Sequence, residues 1–132
     1  MNLIPKIEGE HFMVHSTNLR NHTVEGLHLK PKNDLAKVTG PAILLPRVGN
    51  PKSTKMCVID GEVTYVLSDC VMAIKFSDIR EARILFRYLQ DNWQMVADLY
   101  TGTGARYITV EKLMQFLNLD LLNFEFPSSQ AI

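Results

Sequence analysis

The chain has 132 residues, 46% of them apolar and 21% charged, with 7 Gly and 6 Pro. At that length a folded chain hides roughly two thirds of the surface its unfolded form exposes, so one core is expected within a single domain spanning residues 1–132. This composition excludes a disordered tail, a collagen-like repeat and a low-complexity linker.

Fourteen basic residues balance fourteen acidic ones, so no global positive field points to DNA or a membrane. The balance hides a gradient. Residues 1–60 hold eight basic and five acidic side chains, net +3, and residues 61–132 hold six and nine, net −3. Within residues 30–55, six basic residues stand against Asp34 alone, a local +5. The two cysteines, Cys57 and Cys70, have apolar neighbours and are expected as free thiols. No stretch approaches the roughly 18 uninterrupted apolar residues of a membrane span, and no basic region precedes an apolar run at the N-terminus. The expected location is the cytoplasm.

In chain order, His11-Phe12-Met13-Val14-His15 predicts a short strand, and Ser16-Thr17-Asn18-Leu19-Arg20 a turn or single helical turn. Residues 21–25 are expected as loop, Gly26-Leu27-His28-Leu29-Lys30 as a strand closed by Pro31, and residues 34–38 as a brief helical turn. Ala42-Ile43-Leu44-Leu45-Pro46-Arg47-Val48 opens with four consecutive apolar residues, the pattern of a strand covered on both faces. A turn-rich loop over residues 49–55 follows, then a strand at residues 56–59. Asp60-Gly61 is a hairpin signal, and residues 63–67 and 70–76 read as further strands.

After Ser77-Asp78 the period changes. Ala82, Leu85, Phe86, Leu89, Trp93, Val96, Ala97 and Tyr100 recur at spacings of three and four, which predicts one amphipathic helix of about 20 residues. Asp78 and Glu81 form a capping-box variant at its start, and Thr101-Gly102 closes it. Its charged face mixes Arg80, Arg83 and Arg87 with Glu81 and Asp91, so the helix is expected to serve as scaffold. If its ring is fully buried, Trp93→Ala is expected to cost roughly 3–5 kcal/mol. Tyr107-Ile108 suggests a tiny strand, Thr109 caps a short helix through Leu117, and a mixed segment over residues 119–126 ends at Pro127.

The chain carries no HExxH, CxxC pair, GxSxG or Walker loop, so it is expected to be non-catalytic and to need no cofactor. His11 and His15 on a strand would stand roughly 13 Å apart, too far to share a zinc ion, and no metal site is expected. Thr101-Gly102-Thr103-Gly104 follows a helix, whereas a dinucleotide fingerprint follows a strand.

Two loops remain, residues 47–55 and 101–106. Both are rich in hydroxyls and positive charge, and neither holds an acidic residue. In the first, Arg47 and Asn50 suit base edges, while Lys52, Ser53, Thr54 and Lys55 suit phosphates. In the second, Thr101, Thr103 and Arg106 could contact the opposite strand, with Gly102 and Gly104 permitting close approach. The alternative is that Arg47 pairs with an acidic neighbour and that the second loop only stops the helix.

The segment Gly40-Pro41-Ala42-Ile43-Leu44-Leu45-Pro46-Arg47-Val48-Gly49-Asn50 resembles the GDILLxRxGN segment of target recognition domains. These belong to specificity subunits of type I restriction–modification systems and to related adenine-specific DNA methyltransferases. Residues 12–19, 68–74, 85–90, 100–104 and 123–132 are similar to further segments of that family, in the same order. Pro41 stands where the family usually has Asp, and the long helix that normally follows the closing segment is lacking after Ile132.

The resemblance implies an α+β fold, with a curved strand-rich body packed against one long helix. It also implies a module that reads double-stranded DNA for a separate methyltransferase domain or subunit, with a restriction subunit as a further partner and no membrane. The alternative function is a non-catalytic protein-interaction or regulatory module on the same scaffold.

Overall fold

The computed structural model describes residues 9–32 and 36–120, the side chains of residues 119 and 120 excepted. The described residues form a mixed α+β architecture of three small sheets and three α-helices. Its centre is β5 (Ala42–Pro46), every residue of which is buried. β5 lies between β6 (Cys57–Ile59) and β8 (Val71–Lys75), antiparallel to both.

A strand sends alternate side chains to opposite faces, and here both faces are covered. Ile43 and Leu45 join Met56, Met72, Leu85, Leu89, Val96, Tyr100, Ile108 and Leu113 in one core cluster. Ala42 and Leu44 join Val14, Leu19, Val38, Cys57, Ile59, Leu67 and Val71 in the other. The first cluster is roofed by α1 (Ile79–Asp91), α2 (Trp93–Ala97) and α3 (Val110–Asp120). The second is closed by a sheet in which β7 (Thr64–Leu67) pairs in parallel with β1 (Met13–Val14) and antiparallel with β4 (Lys37–Thr39). The continuous apolar run is therefore the middle layer of a helix–sheet–sheet stack, as expected of a strand covered on both faces.

The strands at residues 42–46, 57–59, 64–67 and 71–75 fall where the sequence places them, and a 3-10 turn occupies Ser16–Asn18. Several expectations need correction. Residues 21–25 are not simply loop: β2 (Leu19–Arg20) and β3 (Thr23–Val24) form a hairpin. Its two-residue turn holds Asn21 and His22 at φ 51° and 66°. Such a turn needs positive φ at both positions, and Asn-His lacks the glycine that usually announces it.

Residues 26–30 form no strand. They are tied to the N-terminal segment at isolated points, with the N–H of Met13 donating to Leu29 (2.7 Å) and that of Gly9 to Lys30 (2.7 Å). Lys37 and Val38 are in β4, not in a helical turn, and residues 34–35 of that expected turn lie outside the described residues. The expected strand at residues 11–15 is confined to Met13–Val14.

Asp60-Gly61 does not close a hairpin, because β6 and β7 belong to different sheets. Here the chain crosses between layers, and two glycines let its backbones meet. A Cβ on Gly40 would stand 2.5 Å from the Ile59 carbonyl oxygen, and one on Gly61 would stand 2.8 Å from that of Gly40, with φ at +115°. No other residue fits that crossing unstrained.

The predicted long helix is two. Asp78 caps α1 by accepting from the Arg80 N–H (2.8 Å), and the helix stops at Asn92. The Asn92 side-chain amide and backbone N–H both donate to the Tyr88 carbonyl (2.9 and 3.1 Å), with φ −117° and ψ 35°. A side chain competing for a helical carbonyl favours leaving the helix. α2 restarts at Trp93, and the apolar stripe continues across the break through Val96, Ala97 and Tyr100. Trp93 is only half-buried, and its indole N–H is enclosed without a partner among the described residues. Its truncation should cost less than for a fully buried ring. Thr109 accepts from the Lys112 N–H (3.1 Å) at the start of α3, which runs past Leu117. Residues 121–127 of the predicted closing segment, and the family-like 123–132, lie outside the described residues.

Both cysteines are free, Cys57 fully buried and Cys70 half-buried. Among the described residues no helix is long and apolar enough to cross a membrane.

Two stability predictions follow from this packing. Leu44 is fully enclosed between the two sheets, so Leu44→Ala should cost about 2–5 kcal/mol in a urea titration. Burial pushes the Cys57 thiol from 9.0 up to about 12. Across that window the unfolded thiol ionises while the folded one keeps its proton. The unfolded state then binds fewer protons, and stability falls as pH rises, by at most about 1.4 kcal/mol per pH unit. Burial also raises the Tyr100 phenol, so Cys57→Ala should lessen this alkaline loss without abolishing it. An identical pH dependence in the variant would contradict the assignment.

Candidate nucleic-acid interface

The two acid-free loops are joined at one end. As the chain leaves β5, the Arg47 N–H donates to Cys70 (2.7 Å) and the Arg47 carbonyl accepts from Ile108 (2.9 Å). The Gly49 N–H donates to the Arg106 carbonyl (2.7 Å), and Val48 bridges to Tyr107. The start of the first loop is thus paired with the end of the second. Beneath this junction the buried Tyr100 hydroxyl donates to the Pro46 carbonyl, which fixes the end of β5 to the chain leaving α2.

The far end of the first loop has different supports. A 3-10 turn at Ser53–Lys55 brings the chain into β6. There the His22 N–H, from the hairpin tip, donates to Thr54 (2.7 Å), and Lys55 Nζ donates to the Ser16 carbonyl (3.0 Å). His22 Nδ1 lies 3.0 Å from the Met56 carbonyl oxygen, and its ring meets Phe86 edge-on at 5.3 Å. A carbonyl only accepts, so Nδ1 carries the proton and Nε2 can accept from the Gln90 amide at 3.4 Å. Asn18 stiffens the hairpin from beneath: its amide donates to Glu25 (2.8 Å) and Gly26 (3.1 Å), and its oxygen accepts from His15 (2.9 Å).

Between these supports Asn50 and Lys52 are exposed, Ser53 is half-buried and Thr54 is exposed. The first loop is therefore pinned at both ends and open at its apex, the arrangement that positions side chains for a ligand at little entropic cost.

In the second loop, Thr101 and Tyr107 exchange backbone hydrogen bonds of 2.9 Å in each direction. Thr101, Gly102, Thr103, Gly104 and Arg106 are all exposed. The two glycines are not equivalent. A Cβ on Gly102, at φ +138°, would lie 3.0 Å from the Ala105 oxygen and 3.3 Å from the Tyr107 ring, whereas Gly104 has open space around it. Gly102 shapes the loop, and Gly104 leaves room.

The four cations singled out from the sequence do not form one cluster. The Arg106 guanidinium donates to the Tyr100 carbonyl (3.0 Å) and at longer range to Ala97 (3.5 Å), capping the end of α2. Lys55 is bonded to Ser16, and Arg47, half-buried, lines a groove of about 570 Å³ with Val71, Ile74, Val110, Leu113 and Met114. Only Lys52 stands clear at the apex. Thr101 Oγ1 accepts from Lys112 Nζ (2.7 Å). The parts of the site that sequence reasoning missed are Arg20, His22 and Gln90: the hairpin that carries the first two has no composition signal, and Gln90 reads as an ordinary helix-surface residue. Among the described residues no group of His, Cys, Asp and Glu could hold a metal ion.

No protein-family model matches the chain, and no curated protein matches it either.

Because its charged donors satisfy helix-end carbonyls, Arg106→Ala should lower stability by about 1 kcal/mol, a value discounted for exposure. Thr103→Ala, at an exposed position, should change stability by less than about 0.5 kcal/mol. Paired urea titrations check the contrast.

Proposed function

We propose that the chain is a sequence-specific DNA recognition module of a restriction–modification system, non-catalytic in itself, that positions a separate methyltransferase or restriction activity. The observation that carries this reading is the first loop. It is acid-free, anchored by backbone hydrogen bonds at Gly49 and Thr54, and open at Asn50 and Lys52 between the anchors. A rigid base with exposed Asn, Lys and hydroxyl groups suits a polyanion whose bases are read by short polar side chains.

The resemblance to target recognition domains supports the same reading. Within the family-like segment, Gly40 serves the crossing between layers and the apolar run is the central strand. Those positions therefore carry the fold, which leaves Arg47 and Asn50 as the segment's candidates for contact. The finer family fold, a curved body shared with target recognition domains, belongs to this proposal too.

Zero formal net charge limits the steering of a polyanion, so the isolated chain should bind DNA weakly, and a partner subunit or domain completes the grip. The test is selection from a randomised duplex pool, run with the chain alone and with a separately expressed adenine-specific methyltransferase subunit as partner. Enrichment of one short sequence is expected. Lys52→Ala should then weaken selected and scrambled duplexes equally and reduce the salt slope by about 1. Arg47→Ala should cost about 1–3 kcal/mol, mostly on the selected sequence. An absence of enrichment together with salt-independent retention would sink the reading.

A further inference from the structure

We infer that the exposed side of α1 is a second DNA contact, an arginine ridge that grips the phosphodiester backbone next to the first loop; this rests on the DNA reading above and extends it to a surface outside both loops. Arg83, Arg87 and Gln90 are spaced i, i+4 and i+7, which aligns them on one stripe of a helix. All three are exposed, and the described residues offer Arg83 and Arg87 no hydrogen bond or ion pair. Arg80 continues the stripe toward the N-terminus, with Asp78 3.5 Å away.

The sequence alone suggests a face of mixed sign, because Glu81 and Asp91 lie on the same helix. In the fold the two acids differ in exposure, and Asp91 lines one groove with Arg83 and Arg87. Glu81 is half-buried on the flank, so Asp91, one turn beyond Arg87, is the acidic residue exposed on the ridge side.

Position makes the ridge more than a solvated helix face. At its C-terminal end Gln90 meets His22 (3.4 Å), and the His22 N–H donates to Thr54 at the end of the first loop (2.7 Å). Arg20, exposed on the same hairpin, and Lys52, exposed on the loop, add cations along the path. From Arg83 to Gln90 the helix rises about 10 Å, comparable to about three steps of 3.4 Å along one DNA strand. Guanidinium groups bond phosphate oxygens bidentately and stay charged at all relevant pH. A helix lying along a backbone in this way positions the module and reads no bases, which agrees with an apolar stripe committed to the core.

The experiment measures anisotropy of a fluorescein-labelled, mixed-sequence duplex with the full chain as salt is raised from low concentration. Each lost phosphate contact should lower the slope of log affinity against log salt by about 0.9. Arg83→Gln with Arg87→Gln should therefore reduce the slope by about 2, with an unchanged urea midpoint. Arg83→Lys with Arg87→Lys should keep most of the slope. Lys32→Gln with Lys75→Gln removes the same formal charge from exposed positions off α1 and should leave the slope nearly intact. Equal losses in the two Gln pairs would reduce the ridge to net charge, and an unchanged slope in the Arg83/Arg87 pair would remove α1 from the interface. If the unaltered chain shows no salt-dependent binding, the DNA reading itself falls and the ridge with it.

Discussion

The structure depends on β5 being covered on both faces. Five consecutive residues, Ala42–Pro46, are buried together, and a strand can achieve that only as the middle layer of three. At about 1.5–3 kcal/mol for each large apolar side chain, Ile43, Leu44 and Leu45 outweigh any surface ion pair in the molecule. The helices and the β1–β7–β4 sheet can be understood as the two covers that this strand requires. The alternation extends to its neighbours: Cys57 and Val71 face the sheet side, while Met72 and Met56 face the helices.

That constraint reaches the candidate interface through the end of the strand. Pro46 closes β5, its carbonyl takes the buried Tyr100 hydroxyl, and the next residue, Arg47, begins the first loop. Everything at the loop base is therefore fixed by core residues. The Arg47 and Gly49 backbones pair with the chain approaching α3, so the second loop is held by the first and not by the sheet. The apex has no such ties. Rigidity falls from the core to Asn50 and Lys52 in a few residues, the usual division of labour between a scaffold and the loop it carries.

The hairpin at Leu19–Val24 is the second organising device. His22 joins its tip to the first loop, to Met56 just before β6 and to α1 by three contacts of one side chain and one backbone N–H. Such an imidazole acts as a structural link. It also makes loop and helix surface continuous, although they are far apart in sequence.

The sequence by itself determined the middle strand, the four principal strands, the amphipathic stripe after Asp78, the Thr109 cap and the acid-free character of two loops. Each is a local signal: a period, a cap or a composition that survives in any fold. Tertiary structure decided the rest. Asp60-Gly61 is a good hairpin signal, but strand pairing is a non-local choice, and the close approach of Gly40 and Gly61 sends the chain to another sheet. The break at Asn92 depends on one amide taking the Tyr88 carbonyl, which periodicity does not register because the apolar stripe continues past it. Arg106 looked like a free cation and is a helix cap. Arg83 and Arg87 looked balanced by Glu81 and Asp91, and in the fold Glu81 is half-buried while Asp91 is exposed beside them. Charge and propensity are written in the chain, but which charges share a surface is set only when distant segments pack.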